Sequence, residues 1–199
     1  IKRDIAQKRA LGEAMEVYSA TLFSQLPNIK YNIKKIKDIN KFIQFKKEVY
    51  KDGFYSKFDN LDAISWIKGR DLINKKNVLI PGFCVFLNYN RYYKRYYPNF
   101  SQGLGNATNL RNSIIHGILE NLEADVSMLF WRNKLNLPLI KQSSLRNINI
   151  KGLIKNLKKS EIETKLIYAT LDFPVNIVIC GLFSKNYPYV SFGFGNGDK

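Results

Sequence analysis

Histidine and cysteine are almost absent from this sequence, whose 199 residues include one histidine and two cysteines. The histidine, His116, has no cysteine or second histidine at ligand spacing, which disfavours a zinc site. Cys84 and Cys180 lie in separate apolar runs, where a lone cysteine is typical of a small buried hydrophobic residue. We therefore expect no disulfide framework and a reducing compartment, the cytoplasm.

Long apolar runs and the common phosphate-binding loop are also missing. No run approaches the roughly 20 residues that a membrane helix needs, so we expect no association with a membrane. The pattern G-x-x-x-x-G-K-[S/T], whose backbone amides hold phosphates in many nucleotide-binding enzymes, does not occur. A nucleotide site in this chain would have to use other groups.

Acidic residues are scarce: the chain has 16 Asp and Glu against 32 Lys and Arg, a formal net charge of +16. A field of this sign attracts anionic partners, nucleic acid among them. However, the lysines are spread along the chain, and no run matches a known nucleic-acid-binding module. Residues 90–97, NRYYKRYY, could stack bases on their tyrosines, but a solvated loop or strand end is the favoured interpretation. Nucleic acid is therefore disfavoured as a partner.

Hydrophobic residues make up 45% of the chain and aromatic residues 14%, which is enough to bury a core. Apolar residues at helical spacing predict helices at 4–26, 110–131 and about 150–159. β-rich runs predict strands at 78–87, where Pro81 interrupts the run, and at 164–173, 175–183 and 189–195. Helices alternating with strands favour an α/β (α+β) fold, with a mixed sheet and flanking helices.

Other stretches are predicted to form connections between helices and strands, or to mark the ends of the chain. Residues 28–60, rich in Lys and Asn, are interpreted as a variable insertion, and N-K-K-N at 74–77 predicts a hairpin turn. The chain begins at Ile1 rather than Met and stops at FGFGNGDK, where a glycine-rich turn has just begun. We interpret both ends as cuts through a longer protein.

Two pairs of glutamates stand on predicted helices at the spacing E-x-x-E, namely Glu13 with Glu16 and Glu120 with Glu123. Carboxylates three residues apart lie side by side on a helix and repel each other. Most such pairs are simply solvated at the protein surface. Two pairs in similar helix–strand units, however, are harder to attribute to chance. If both pairs converge on one cavity, four carboxylates need cations, and Mg²⁺ prefers oxygen ligands of this kind.

The small-residue loop SQGLGNATN, residues 101–109, precedes the second of these helices. Carboxylate-bound Mg²⁺ can hold a triphosphate without the missing phosphate loop. The loop could then add hydroxyl, amide and backbone donors at the N-terminus of the helix. An ordinary turn with a helix cap explains the same residues equally well.

Seven motifs follow one another along the chain: ALGEAMEVYS, WIKGRDL, VLIPG, SQGLGNATN, ILENLEAD, FWRNKLNLP and FGFG. In this order and over nearly the whole chain, they resemble the YcaO domain family. The resemblance implies two similar helix–strand units that share a cavity for ATP and Mg²⁺. It also implies that residues 1–199 form a partial domain, without an N-terminal nucleotide-loop element and a C-terminal portion.

The resemblance further implies an enzyme that uses ATP to phosphorylate a backbone amide oxygen. FWRNKLNLP most resembles members that cyclise Cys, Ser or Thr to azolines in ribosomally made peptides. Formation of a thioamide or an amidine, and a degenerate scaffold that binds nucleotide or peptide without catalysis, are the alternatives. The implied partners are a precursor peptide, a peptide-presenting protein of the same biosynthetic cluster and a second copy of the chain.

The resemblance assigns site residues by position and requires no nucleophile from this chain, because the attacking group belongs to the substrate or to a sulfur donor. The implied Mg²⁺ ligands are Glu13, Glu16, Glu120 and Glu123. The residues implied in contacts with the nucleotide are Ser101, Thr108 and Asn112.

Several positions depart from the family pattern. Val17 and Ala124 replace the arginine that follows each E-x-x-E, and Asn112 stands where an acidic residue is usual. Thr108 and Asn109 appear as T-N where the family has N-T. The lost arginines would remove charge near the phosphates, which favours the degenerate alternative.

Overall fold

A computed structural model describes residues 3–22, 29–32, 45–57, 63–89, 94–98 and 100–197 of the chain. The helices are α1 (Arg3–Thr21), α2 (Leu110–Asn133) and α3 (Ile148–Lys159). The strands are β1 (Ile29–Asn32), β2 (Ala63–Arg70), β3 (Asn77–Pro81), β4 (Ile162–Tyr168), β5 (Asn176–Ser184) and β6 (Val190–Gly197). The chain divides into two compact units, Ile1–Ser113 and Ile114–Lys199, each with a three-stranded sheet.

The first unit contains the antiparallel sheet β1-β2-β3. Its core is mainly aromatic because the segment after β3 turns back over β2. Tyr89 is fully buried there, and its hydroxyl oxygen accepts a hydrogen bond of 3.2 Å from the backbone N–H of Ser65. The buried residues of this core are Ile64, Trp66, Phe83, Phe86, Tyr89 and Tyr96.

The connection between β2 and β3 is a hairpin loop organised by Asp71. One carboxylate oxygen of Asp71 accepts hydrogen bonds from the backbone N–H groups of Ile73 at 2.9 Å and Asn74 at 3.0 Å. The other oxygen accepts from the side-chain amide of Asn74 at 2.8 Å. The hairpin expected at N-K-K-N is therefore present. The Asn74 side chain, followed by the backbone N–H groups, lowers the pKa of Asp71 because these bonds favour the charged form.

The second unit contains the antiparallel sheet β4-β5-β6, with Ile167 opposite Ile179 and Ile179 opposite Phe194. Residues directly opposite each other on neighbouring strands point to the same face, so these three side chains lie on one side of the sheet. Val126 of α2 is completely buried in the core on that side. The buried residues of this core are Val126, Ile167, Ala169, Ile177 and Ile179.

Helix α3 lies against β4. Asn147 caps its first turn, since the side-chain oxygen accepts hydrogen bonds from the backbone N–H groups of Asn149 and Ile150. The helix ends at a turn in which Glu161 has a φ of 58°. This turn leads directly into β4.

The predicted α/β (α+β) class is confirmed, and all three predicted helices are present. The prediction of a mixed sheet is wrong, because every strand pair that the structure describes is antiparallel. Strands that follow one another through short loops pair antiparallel, whereas a parallel pair needs a long crossover. The expected burial of cysteine is wrong for Cys84, which is exposed in a short 3-10 turn after Pro81.

Some predictions fall partly on undescribed residues. Of residues 28–60, the structure describes β1 and residues 45–57, and the rest of the interpreted insertion lies outside the described residues. Residues 23–28 and 90–93 also lie outside them, including the C-terminal part of the helix predicted at 4–26. No helix in the described ranges is long and apolar enough to cross a membrane.

Replacing Tyr89 by Phe should lower the free energy of unfolding by about 1–2 kcal/mol, since the buried N–H of Ser65 would lose its acceptor. Chemical denaturation measures this difference. Tyr18→Phe, which removes the hydroxyl of an exposed tyrosine on α1, is the control. Equal stabilities for the two variants would contradict a role for the buried bond.

Replacing Asp71 by Ala should lower the melting temperature at pH 7. A lowered pKa means that folding favours the charged carboxylate, so this stabilisation is present at neutral pH and is lost as the pH falls below about 4. The difference in melting temperature between wild type and variant should therefore become smaller in acid. Asp52→Ala controls for loss of an exposed negative charge, and a gap that widens in acid would contradict the assignment.

Candidate functional site

A cavity of about 360 Å³ in the first unit brings the end of α1 together with the loop 101–109. Glu16 lines this cavity, whereas Glu13 is exposed and does not. The backbone N–H of Leu87 donates to the carbonyl of Ala20 at 3.1 Å and fixes the end of the helix beside the cavity. The lining residues are Met15, Glu16, Ser19, Ala20, Val85, Phe86, Leu104, Gly105 and Asn106.

Asn106 fastens the loop to α1. Its side-chain amide donates a hydrogen bond of 2.7 Å to the carbonyl oxygen of Gly12, one residue before Glu13. The loop itself begins with a turn in which the N–H of Leu104 donates to the carbonyl of Ser101 at 3.1 Å. Gly103 has a φ of 91° in this turn, a conformation that favours glycine. Glu16 and the middle of the loop therefore line the same cavity.

The end of the loop caps α2. The side-chain oxygen of Asn109 accepts a hydrogen bond of 2.9 Å from the backbone N–H of Asn112, and its carbonyl accepts one from Ser113. The interpretation of the loop as a turn with a helix cap is therefore confirmed. The side chains of Ser101, Thr108 and Asn112 are exposed and do not line the cavity, and their contact with a nucleotide stays a prediction.

The second glutamate pair lies on α2 in the second unit, where both side chains are half-buried. The side-chain amide of Asn196 on β6 donates a hydrogen bond of 2.8 Å to Oε2 of Glu123. Glu123 is one helical turn before the buried Val126, which places it beside the core.

Two asparagines of these sites, Asn106 and Asn196, were missed from the sequence. The partner of Asn106 is 94 residues away, and no local pattern indicates it. A signal for Asn196 exists: in FGFGNG, residues 192–197, every second residue is glycine. This alternation places Phe192, Phe194 and Asn196 on one face of β6, the face that carries the core beside α2.

The glutamates fit Mg²⁺ by their chemistry, because carboxylate oxygens are the ligands that this ion prefers. Each pair supplies two carboxylates. Within either unit, no three His, Cys, Asp or Glu side chains among the described residues form a group that could hold a metal ion. The convergence of all four glutamates on one cavity stays a prediction.

Comparison with protein families identifies the family of this chain. The family described as YcaO cyclodehydratase, ATP- and Mg²⁺-binding, matches residues 2–197. The chain belongs to the YcaO family. The resemblance drawn from the seven motifs is thereby confirmed, and ATP and Mg²⁺ are confirmed as the cofactors of the family.

Solved structures share the fold of this YcaO domain. The heterocyclase TruD superimposes with a TM-score of 0.83 over 96% of this chain and 31% of its own, at 19% identity. A heterocyclase in complex with substrate and cofactor superimposes with a TM-score of 0.81 over 94% of this chain and 28% of its own, also at 19% identity. YcaO from Methanopyrus kandleri, bound with AMPPCP and Mg²⁺, superimposes with a TM-score of 0.53 over 67% of this chain and 35% of its own, at 21% identity. The chain thus spans about a third of each matched structure, and no curated protein matches it.

Replacing Asn106 by Ala should release the loop 101–109 from α1 because its side-chain bond to Gly12 is lost. Amide hydrogen exchange in the loop should then accelerate by about fivefold. Thr108→Ala, at an exposed position of the same loop, is the control. Unchanged exchange in the Asn106 variant would show that the loop is held by other contacts.

Proposed function

We propose that the complete protein containing this YcaO domain activates backbone amides of a peptide with ATP and Mg²⁺, and that it cyclises Cys, Ser or Thr to azolines. The observation that carries the proposal is the family match over residues 2–197, with all four glutamates present. At the level of the family, this is ATP-dependent cyclodehydration. Because the chain spans about a third of each matched structure, substrate and product are proposed for the whole protein.

The proposed ligands of Mg²⁺ are the two E-x-x-E pairs. Glu16 borders the cavity beside Leu104, Gly105 and Asn106, so its carboxylate can bind a cation between helix and loop. Asn196 holds one oxygen of Glu123, which orients that carboxylate and leaves Oε1 as a ligand. Glu13 and Glu120 complete the proposed set.

The loop 101–109 is proposed to position the nucleotide. Bound ATP would supply the phosphoryl group that converts a poor leaving group, the amide oxygen, into a good one. The contribution of this chain is binding and charge: the glutamates would hold the cations that balance phosphate charge. Ser101 at the beginning of the loop, and Thr108 and Asn112 at the start of α2, would offer polar side chains. The attacking group comes from the substrate.

The proposed partners follow from this chemistry. They are a precursor peptide, a protein that presents it and a second copy of the domain. A ribosomally made precursor also makes the cytoplasm the proposed location. We further propose that an N-terminal nucleotide-loop element and a C-terminal portion of the whole protein complete the site.

A second candidate is a YcaO domain that binds nucleotide or peptide without catalysis. Val17 and Ala124 favour it, because each stands where the family pattern has an arginine after E-x-x-E. An arginine at these positions would stabilise charge that develops on the phosphates. Measured turnover separates the two candidates.

Replacing Glu120 by Gln should lower the affinity for Mg-ATP by at least about 100-fold in the complete protein, since the shape is kept and one ligand charge is lost. Isothermal titration calorimetry measures the affinity. The melting temperature should change little, because removal of one carboxylate also relieves repulsion from Glu123. Asp172→Asn, at an exposed position of the same unit, is the matched control. Wild-type affinity in the Glu120 variant would refute the ligand assignment.

Mass spectrometry of a precursor peptide tests the reaction itself. With ATP, Mg²⁺ and the presenting protein, each modified Cys, Ser or Thr should lose the mass of one water as the ring closes. A mass change equal to the exchange of oxygen for sulfur, when sulfide is supplied, would replace the azoline by a thioamide. ATP binding without turnover or mass change would favour the non-catalytic candidate.

A further inference from the structure

Two adjoining cavities form a groove along α3 in the second unit, each with a volume of about 220 Å³. Both are lined by Gln142, Ile154 and Lys158, so they are continuous along the helix. Thr164 lines one of them, and it lies three residues before the core residue Ile167 in β4. Residues three apart in a strand point to opposite faces, so the groove lies on the face of β4 away from the core.

Lysines dominate the groove. Lys151, Lys155 and Lys158 are spaced four and three residues apart, which places them on one side of α3. Lys185 lies across the groove at its other end. All four are exposed, and none forms an ion pair with another residue in the part of the chain that the structure describes. Their charge is therefore open to a ligand.

Thr164 supplies an independent sign of a ligand. Its side chain is only 7% exposed, and its hydroxyl has no hydrogen-bond partner among the described residues. A buried hydroxyl without a partner costs stability, so a small local opening that lets a polar group of a ligand reach it would recover a hydrogen bond. The Gln142 side chain donates to the carbonyl of Thr164 at 2.9 Å, which holds this part of the groove in place.

We propose that this groove binds an acidic peptide segment. Carboxylate side chains of the peptide pair with Lys151, Lys155 and Lys158, and apolar side chains pack on Ile154. Backbone groups of the peptide satisfy the hydroxyl of Thr164. The inference does not depend on the proposed reaction, since it rests only on residues of α3, β4 and the segments beside them.

The lining favours a peptide over a nucleic acid. Leu145, Ile154 and Ile162 provide apolar contact, and none of the lining residues is an aromatic side chain on which bases could stack. Glu161 lies at one end, where its carboxylate would repel phosphates but can accept an N–H group of a peptide. The charge pattern thus matches a chain with isolated carboxylates and free amide donors.

Fluorescence anisotropy with a labelled peptide tests the proposal in the complete protein. The probe is a six-residue peptide that alternates Glu with Leu, and its counterpart has Gln in place of Glu. The Glu peptide should bind more tightly, and its affinity should fall as salt is raised. Equal binding of the two peptides would overturn the proposal.

Lys158→Gln should weaken binding of the Glu peptide about two- to fivefold, and the triple change at Lys151, Lys155 and Lys158 should weaken it about tenfold or more. Lys159→Gln is the matched control, because it removes the same charge from the neighbouring position but does not line the groove. An equal effect of the two single variants would reveal only general attraction to a basic protein and would overturn the proposal.

Thr164→Val tests the hydroxyl, since valine keeps the shape of the side chain. Peptide affinity should fall while the melting temperature stays the same or rises, because an unpaired buried hydroxyl is removed. Lower stability with unchanged affinity would make the hydroxyl purely structural. Single-stranded DNA that binds more tightly than the peptide, and that loses affinity in the Lys158 variant, would assign the groove to nucleic acid instead. Either result would overturn the proposal.

Discussion

The burial of Val126 against the isoleucines of β4 and β5 determines how α2 is oriented in the second unit. A helix that buries one residue completely has little freedom to turn about its own axis. Residues one and two turns earlier are then confined to the border of the core, where Glu123 and Glu120 are half-buried. At this border a carboxylate keeps contact with water and cations but loses much of its rotational freedom. The amide of Asn196 restricts Glu123 further.

The first unit reaches a similar result with fewer buried contacts. Most of α1 is exposed, and Ala20 is its only buried residue among those described. Single hydrogen bonds therefore have larger consequences here, such as the bond from Asn106 to Gly12. They hold a glycine-containing loop beside a helix whose side chains are mostly exposed. The second unit thus restricts Glu123 by packing and by a hydrogen bond, whereas in the first unit a hydrogen bond holds the loop beside the helix that carries Glu16.

Local spacing in the sequence was sufficient to predict the helices and the glutamate pairs. A period near 3.6 in apolar residues recurs whatever the tertiary contacts are, so α2 and α3 were found with small errors at their ends. The sheet type could not be derived in this way, because it depends on whether successive strands are joined by hairpins or by crossovers. Cys84 shows the same limit: Pro81 ends β3, and the 3-10 turn that follows exposes a residue within an apolar run.

The alternation of glycine along β6 leaves that strand with two different faces. The larger residues carry the contacts with the core and with Glu123, whereas a Cβ built on Gly193, Gly195 or Gly197 meets no atom of the described residues within 4 Å. Tolerance to mutation should therefore change from one residue to the next along the same strand. Codons for the glycines can vary in a library with little damage to this unit, and a spectroscopic label attached there would report on the strand without touching its packed side.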